Sequence, residues 1–254
     1  MEQLLRERAE LYTELSKRTL VVRAITGQGS RKAGSEWHSL DGILAYAVAS
    51  DITEGKPYLL TGERAVNVPL PLLEVEGLPI CSDLTAHVEY SGVGWFLKRS
   101  RDGSQTRPTR GMPAKVDERG GPDQPRRVPV AMHLADVWEA RCIGNKGEIM
   151  RLLQTITHIG ARSDVGCGEV IRWEVKEWEG TVVQVLTQEG ESGPHLARAV
   201  PVSARQALKD FGIIPRLEDA GLGGWRPPYW HMDNYAHRWA YRTPVFINKE
   251  LASC

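Results

Sequence analysis

The chain has 254 residues, 41 % hydrophobic and 25 % charged, enough to bury one sizeable core or two small ones. Lysine plus arginine equals aspartate plus glutamate at 32 each, so any nucleic-acid surface must come from charge segregated on the fold, and the total neither supports nor excludes RNA. Four widely spaced cysteines (Cys81, Cys142, Cys167, Cys254) form no Cys-x-x-Cys pair and indicate neither a zinc knuckle nor a disulfide framework.

Residues 2–18 read as a charged surface helix with Leu4, Leu11 and Leu15 on one side, followed by a β-branched strand from Leu20 to Ile25. After a loop from Gly27 to Gly34, the spacing of Leu40, Ile43, Leu44, Ala47 and Val48 predicts an amphipathic helix, with Ser39 placed to cap it and Asp41 in its first turn. Proline-rich extended segments from Tyr58 to Pro71 and from Leu84 to Leu97 suit edge strands or hairpins, because proline cannot donate to a central ladder.

From Lys98 to Arg127 nine basic residues face four acidic ones among many Gly and Pro, with few core formers. This predicts a protruding, partly disordered excursion. Strands follow at Val128–Leu134 and Val137–Ile143, then a helix carrying Ile149, Leu152, Leu153 and Ile156, with Gly160 as its stop signal. Ile171, Trp173 and Val175 alternate with polar residues as a strand, and Thr181–Thr187 is the expected hairpin partner across Glu179-Gly180.

Residues 20–178 therefore run β-α-β-β-α-β with an insertion between the central strands. The expected class is α+β, with a ferredoxin-like (RRM-like) core. The expected division is an N-terminal helical extension at 1–19, a core at 20–190 with its insertion at about 98–127, and a C-terminal segment at 191–254 that wraps the core as loops and short strands. No apolar run approaches the about 20 residues that span a bilayer, and no signal peptide is read, so a cytoplasmic location is expected.

The string from His158 to Val170 holds Gly160, Gly166 and Gly168 after a predicted helix and before a predicted strand. A dinucleotide fingerprint or Walker loop needs the opposite order, with phosphates at a helix N-terminus. A helix-to-strand glycine loop instead lets backbone N–H groups approach a phosphate chain, with Arg162 and Ser163 beside it. The same residues also fit an ordinary glycine-rich turn.

Ile159-Gly160, then Arg162-Ser163, then Gly166-x-Gly168 and a strand resemble the C-terminal glycine-rich loop of the repeat-associated CRISPR proteins. Leu40–Ala47, Val68–Leu72 with Lys98-Arg99, Arg198–Pro201 and Arg226–Trp230 stand in the same order as in the type IV fifth-family subunit of that superfamily, over residues 20–244. The helix at 2–18 is not covered. The resemblance implies a non-catalytic subunit that grips the 5′ handle of a crRNA. It would cap a filament of seventh-family backbone subunits beside the large subunit and the target DNA, with its insertion acting as a thumb.

The residues expected at RNA are His158, Gly160, Arg162, Ser163, Gly166 and Gly168 of the loop, and Lys98, Arg99, Arg107, Arg110, Arg126 and Arg127 of the insertion. Tyr229, Trp230 and His231 join them as stacking partners, unless they pack the C-terminal segment instead. No cofactor and no metal is expected, since His231 and His237 lack a cysteine or carboxylate to complete a site. The rival reading is a metal-independent endoribonuclease of precursor crRNA, using His38, Tyr46 or Arg23.

Overall fold

The computed structural model describes residues 2–26, 31–33, 37–60, 62–86, 90–98, 126–161, 163, 166–248 and 250–251. The chain opens with α1 (Glu2–Glu14) and β1 (Arg18–Ile25), then two short strands, β2 (Arg31–Ala33) and β3 (Trp37–Ser39), before α2 (Leu40–Ile52). A small hairpin of β4 (Glu74–Val75) and β5 (Leu78–Pro79) precedes β6 (Asp83–Thr85). Then come β7 (Tyr90–Lys98), β8 (Arg126–Leu134), β9 (Val137–Gly144), α3 (Lys146–Leu153) and β10 (Arg172–Glu177).

The main sheet has the order β10-β1-β9-β6-β3 and is antiparallel at each pairing. The fold is α+β. Alternation along its strands explains which face is covered: Leu20, Val22 and Ala24 of β1, Trp138, Ala140 and Cys142 of β9, and Trp173 and Val175 of β10 are buried together. Against them pack Leu40, Ile43, Leu44 and Val48 of α2 and Ile149, Leu152 and Leu153 of α3. The intervening residues carry charge on the other face, where Arg23 pairs with Glu139 at 2.8 Å.

β7 and β8 form a long hairpin between β6 and β9, and β8 also pairs with β2 in a separate three-stranded sheet. α1 docks on the helical layer through the buried Tyr12, whose hydroxyl donates to Glu148 at 2.9 Å. Arg8 and Arg151 both reach Asp51 of α2 and Glu148 of α3.

The C-terminal part adds α4 (Val182–Leu186), β11 (Thr187–Gly190), β12 (Gly193–Leu196), β13 (Val200–Pro201), α5 (Arg205–Asp210), β14 (Ile213–Pro215), β15 (Gly221–Gly224), β16 (Tyr235–Trp239) and β17 (Val245–Ile247). Its second core gathers Leu186, Leu196, Val200, Leu208, Ile213 and Trp239 with Leu78 and Ile80.

Several local readings are corrected; within the expected loop from Gly27 to Gly34, Arg31–Ala33 is the strand β2, paired with β8. Within Thr181–Thr187 the chain forms the helix Val182–Leu186 and not a hairpin strand, because Thr181 and Gln184 close a reciprocal capping box that outweighs the β-branched run. α3 ends at Leu153 and not at Gly160; Thr155 Oγ1 turns back to the Leu152 carbonyl at 2.7 Å and takes the chain out of the helix. Between Tyr58 and Pro71 the described chain holds a short 3₁₀ turn at Pro57–Leu60 and no strand. Ser39 precedes α2 but makes no capping hydrogen bond from its side chain.

Candidate nucleic-acid interface

The glycine-rich string closes on itself as a small hairpin. Ile159 N–H donates to the Gly168 carbonyl and Val170 N–H to the Thr157 carbonyl, each at 2.8 Å. Gly160, Gly166 and Gly168 all have positive φ, at 83°, 78° and 72°. At Gly168 glycine is needed twice over, because a Cβ there would fall on the Ile159 carbonyl oxygen. At Gly166 the space is open, so only the backbone conformation asks for glycine. The Gly166 N–H turns back to the Ser163 carbonyl at 3.0 Å, and Ser163 and Gly166 are exposed.

This loop does not stand alone. Cys167, between the last two glycines, is buried against Met132 of β8, with Phe96 and Val130 of the hairpin packed beside them. Lys98 and Arg126, the two ends of the basic stretch, therefore belong to a hairpin whose base carries the glycine-rich loop. At the hairpin's far end Lys98 pairs with Arg126 and Leu97 with Arg127. Arg127 is exposed. Val93, Trp95 and Leu97 present an exposed apolar stripe along β7. Arg99, Arg107, Arg110 and Arg162 lie outside the described residues, as do the side chains of Lys98 and Arg126. His158 is half-buried, with Nδ1 3.0 Å from the Thr157 hydroxyl.

Tyr229, Trp230 and His231 sit elsewhere, against α2. The Tyr229 hydroxyl lies 2.7 and 2.8 Å from the two carboxylate oxygens of Asp41 and donates to that group. Trp230 is exposed, and His231 Nδ1 accepts from the Asp233 N–H at 3.2 Å. These residues, with Tyr46, His38 and Arg64, line a cavity of about 460 Å³ between α2, residues 57–68 and residues 227–231.

Behind that cavity lies a buried polar cluster. Arg198 donates to Asp41 at 2.8 Å, to the Pro79 carbonyl at 2.8 Å, to Cys81 Sγ at 2.9 Å, and to the Ala199 and Trp225 carbonyls. Asp83 is buried nearby; desolvation, with the Asp41 charge adding to it, pushes its carboxyl up to about 7 despite Arg198 and Arg238. Burial, together with the Asp41 carboxylate, also raises the Tyr229 phenol. Burial opposes the charge on Arg198, but the Asp41 carboxylate, together with Cys81, Tyr229 and Asp83, outweighs it and raises the guanidinium well above its ordinary value.

No protein-family model matches this chain, and no curated protein matches it. It is similar, at 13 % identity and a TM-score of 0.33, to a chain in the structure described as "Cryo-EM structure of the Type III-B Cmr-beta bound to cognate target RNA". The similarity covers 69 % of this chain and 66 % of that one, slightly less than two thirds of its length.

The residues of the rival reading divide. His38 and Tyr46 line one cavity, whereas Arg23 points from the sheet face opposite α2 and is held by Glu139. Sequence reasoning missed the Asp41–Arg198–Tyr229 cluster. The signal available was a carboxylate in the first turn of a largely apolar helix of mostly buried residues, where a charge needs a partner. Among the described residues no group of three or more His, Cys, Asp or Glu could hold a metal, and no helix is long and apolar enough to cross a membrane.

Proposed function

We propose that this chain is a non-catalytic RNA-binding subunit of a class 1 CRISPR effector, gripping the 5′ handle of the crRNA with its glycine-rich loop and the basic hairpin. The observation that carries this reading is the Cys167–Met132 contact, which seats the loop on the base of the hairpin. Phosphates drawn by Arg126, Arg127 and the preceding basic stretch would run toward exposed backbone at Ser163 and Gly166. The strand order β10-β1-β9-β6, with α2 and α3 on one face, is the order a ferredoxin-like βαββαβ core requires and supports that reading of the fold.

The type IV assignment, the capping of a filament of backbone subunits, and contact with a large subunit and target DNA rest on the sequence resemblance. One observation favours a second reading, cleavage of precursor crRNA: His38 and Tyr46 share a cavity. Incubating the protein with labelled repeat RNA in a chelator separates the two. Salt-sensitive binding without cutting is the expected result. Site-specific cutting lost in His38→Ala or Tyr46→Ala would favour the enzyme.

A further inference from the structure

The cavity between α2 and the C-terminal segment has a chemical character of its own. Its walls are apolar, from Ala45, Ala49, Val68 and Pro228, and two aromatic rings, Tyr46 and Trp230, stand more than half exposed at it. Its volume of about 460 Å³ falls in the range of small-molecule sites. Among the described lining residues Arg64 is a fixed cation and there is no carboxylate, while Asp233 stands behind the rim, accepting from the Ala65 N–H at 3.0 Å. One wall is fixed in advance, since Asp41 holds the Tyr229 hydroxyl and Arg198 holds Asp41.

An apolar, aromatic pocket excludes a phosphate from its interior but suits the flat, weakly hydrated face of a nucleobase, and a cationic rim suits the phosphate that follows the base. We propose that this cavity receives one unstacked nucleobase of a single-stranded RNA, against the rings of Tyr46 and Trp230, with Arg64 drawing the adjoining phosphate. The proposal rests on the RNA-binding reading and adds to it a second contact point, lined by none of the glycine-loop residues described. Because stacking faces outnumber polar edges in the lining, the site tolerates different bases.

The test uses the full chain and single-stranded repeat RNAs in which a fluorescent adenine analogue is placed at successive positions, with free adenosine monophosphate as a separate probe. Tyr46→Ala and Trp230→Ala alter exposed side chains and leave the fold intact. One analogue position is expected to change its emission on binding. Both variants should abolish that change and weaken binding about 5- to 150-fold, the equivalent of one stacked base, while the salt dependence stays as in the parent. Salt-sensitive RNA binding that both variants leave unaltered would overturn the base pocket and spare the RNA-binding reading. Saturation by adenosine monophosphate with no affinity for RNA would overturn both, as would binding of neither.

Discussion

Arg198 Nη2 meets Asp41 Oδ2 at 2.8 Å with both side chains withdrawn from solvent, across 157 positions of sequence. This pair ties the first turn of α2 to the C-terminal segment. The guanidinium also satisfies the Pro79 and Trp225 carbonyls, so each of its nitrogens has work inside the protein. A buried pair of this kind adds little net stability over apolar residues, but it cannot be broken cheaply.

Arg198→Met is therefore expected to cost about 3–5 kcal/mol, because Asp41 is left as a buried charge. Tyr229→Phe removes one hydrogen bond to a charged group and should cost about 1.5–3 kcal/mol. Urea unfolding midpoints check the order. An Arg198→Met protein as stable as Tyr229→Phe would show that Asp41 is not held as a charge.

Asp83 supplies a pH dependence. Its carboxyl sits at about 7 in the folded chain against an ordinary 3.8, so between these values the native state holds a proton that the unfolded state has released. Stability from this group is greatest below 3.8 and is lost as pH rises toward about 7. Asp83→Asn should flatten that fall in unfolding curves recorded across the window. A fall of the same size in the variant would assign it to another group.

The two glycines with open and closed surroundings give a paired test. Gly166→Ala meets only an unfavourable backbone conformation and should cost about 1 kcal/mol. Gly168→Ala must also displace the Ile159 carbonyl, so its loss should be clearly larger, and RNA affinity should fall with it. Thermal melts beside filter binding compare the two.

The sequence made the central strands of the main sheet and its helical layer legible, though not the short edge strand at Trp37–Ser39, because the burial period is plain: Leu20, Val22 and Ala24 alternate, and Ile149, Leu152 and Leu153 share one helical face. It misled where a short-range contact competes with propensity, as at Thr181 and Gln184, whose capping box turns a β-branched run into a helix. The glycine-rich loop was legible as a helix-to-strand element, but its seat on the hairpin was not, since nothing local marks Cys167 and Met132 as neighbours. Asp41 likewise looked like an ordinary first-turn acid. Its true partner, Arg198, lies in another layer and could be found only by folding the chain.

The exposed hairpin end predicts a distinct signature. Each arginine that neutralises a phosphate should steepen the dependence of affinity on salt, so Arg126→Ala and Arg127→Ala should each weaken binding across RNA sequences and lower the slope by about one. Titrations at several salt concentrations measure this. Unchanged slopes would remove the hairpin from the RNA path.

The most direct test of RNA capture is to co-express the chain with a CRISPR array and its neighbouring subunits, purify through this chain, and sequence the ends of the bound RNA. A multi-subunit particle holding RNA with one uniform 5′ end is expected, lost in the Gly168→Ala and Arg126→Ala/Arg127→Ala variants. Recovery of the chain free of RNA, alone or with its neighbours, would contradict RNA capture.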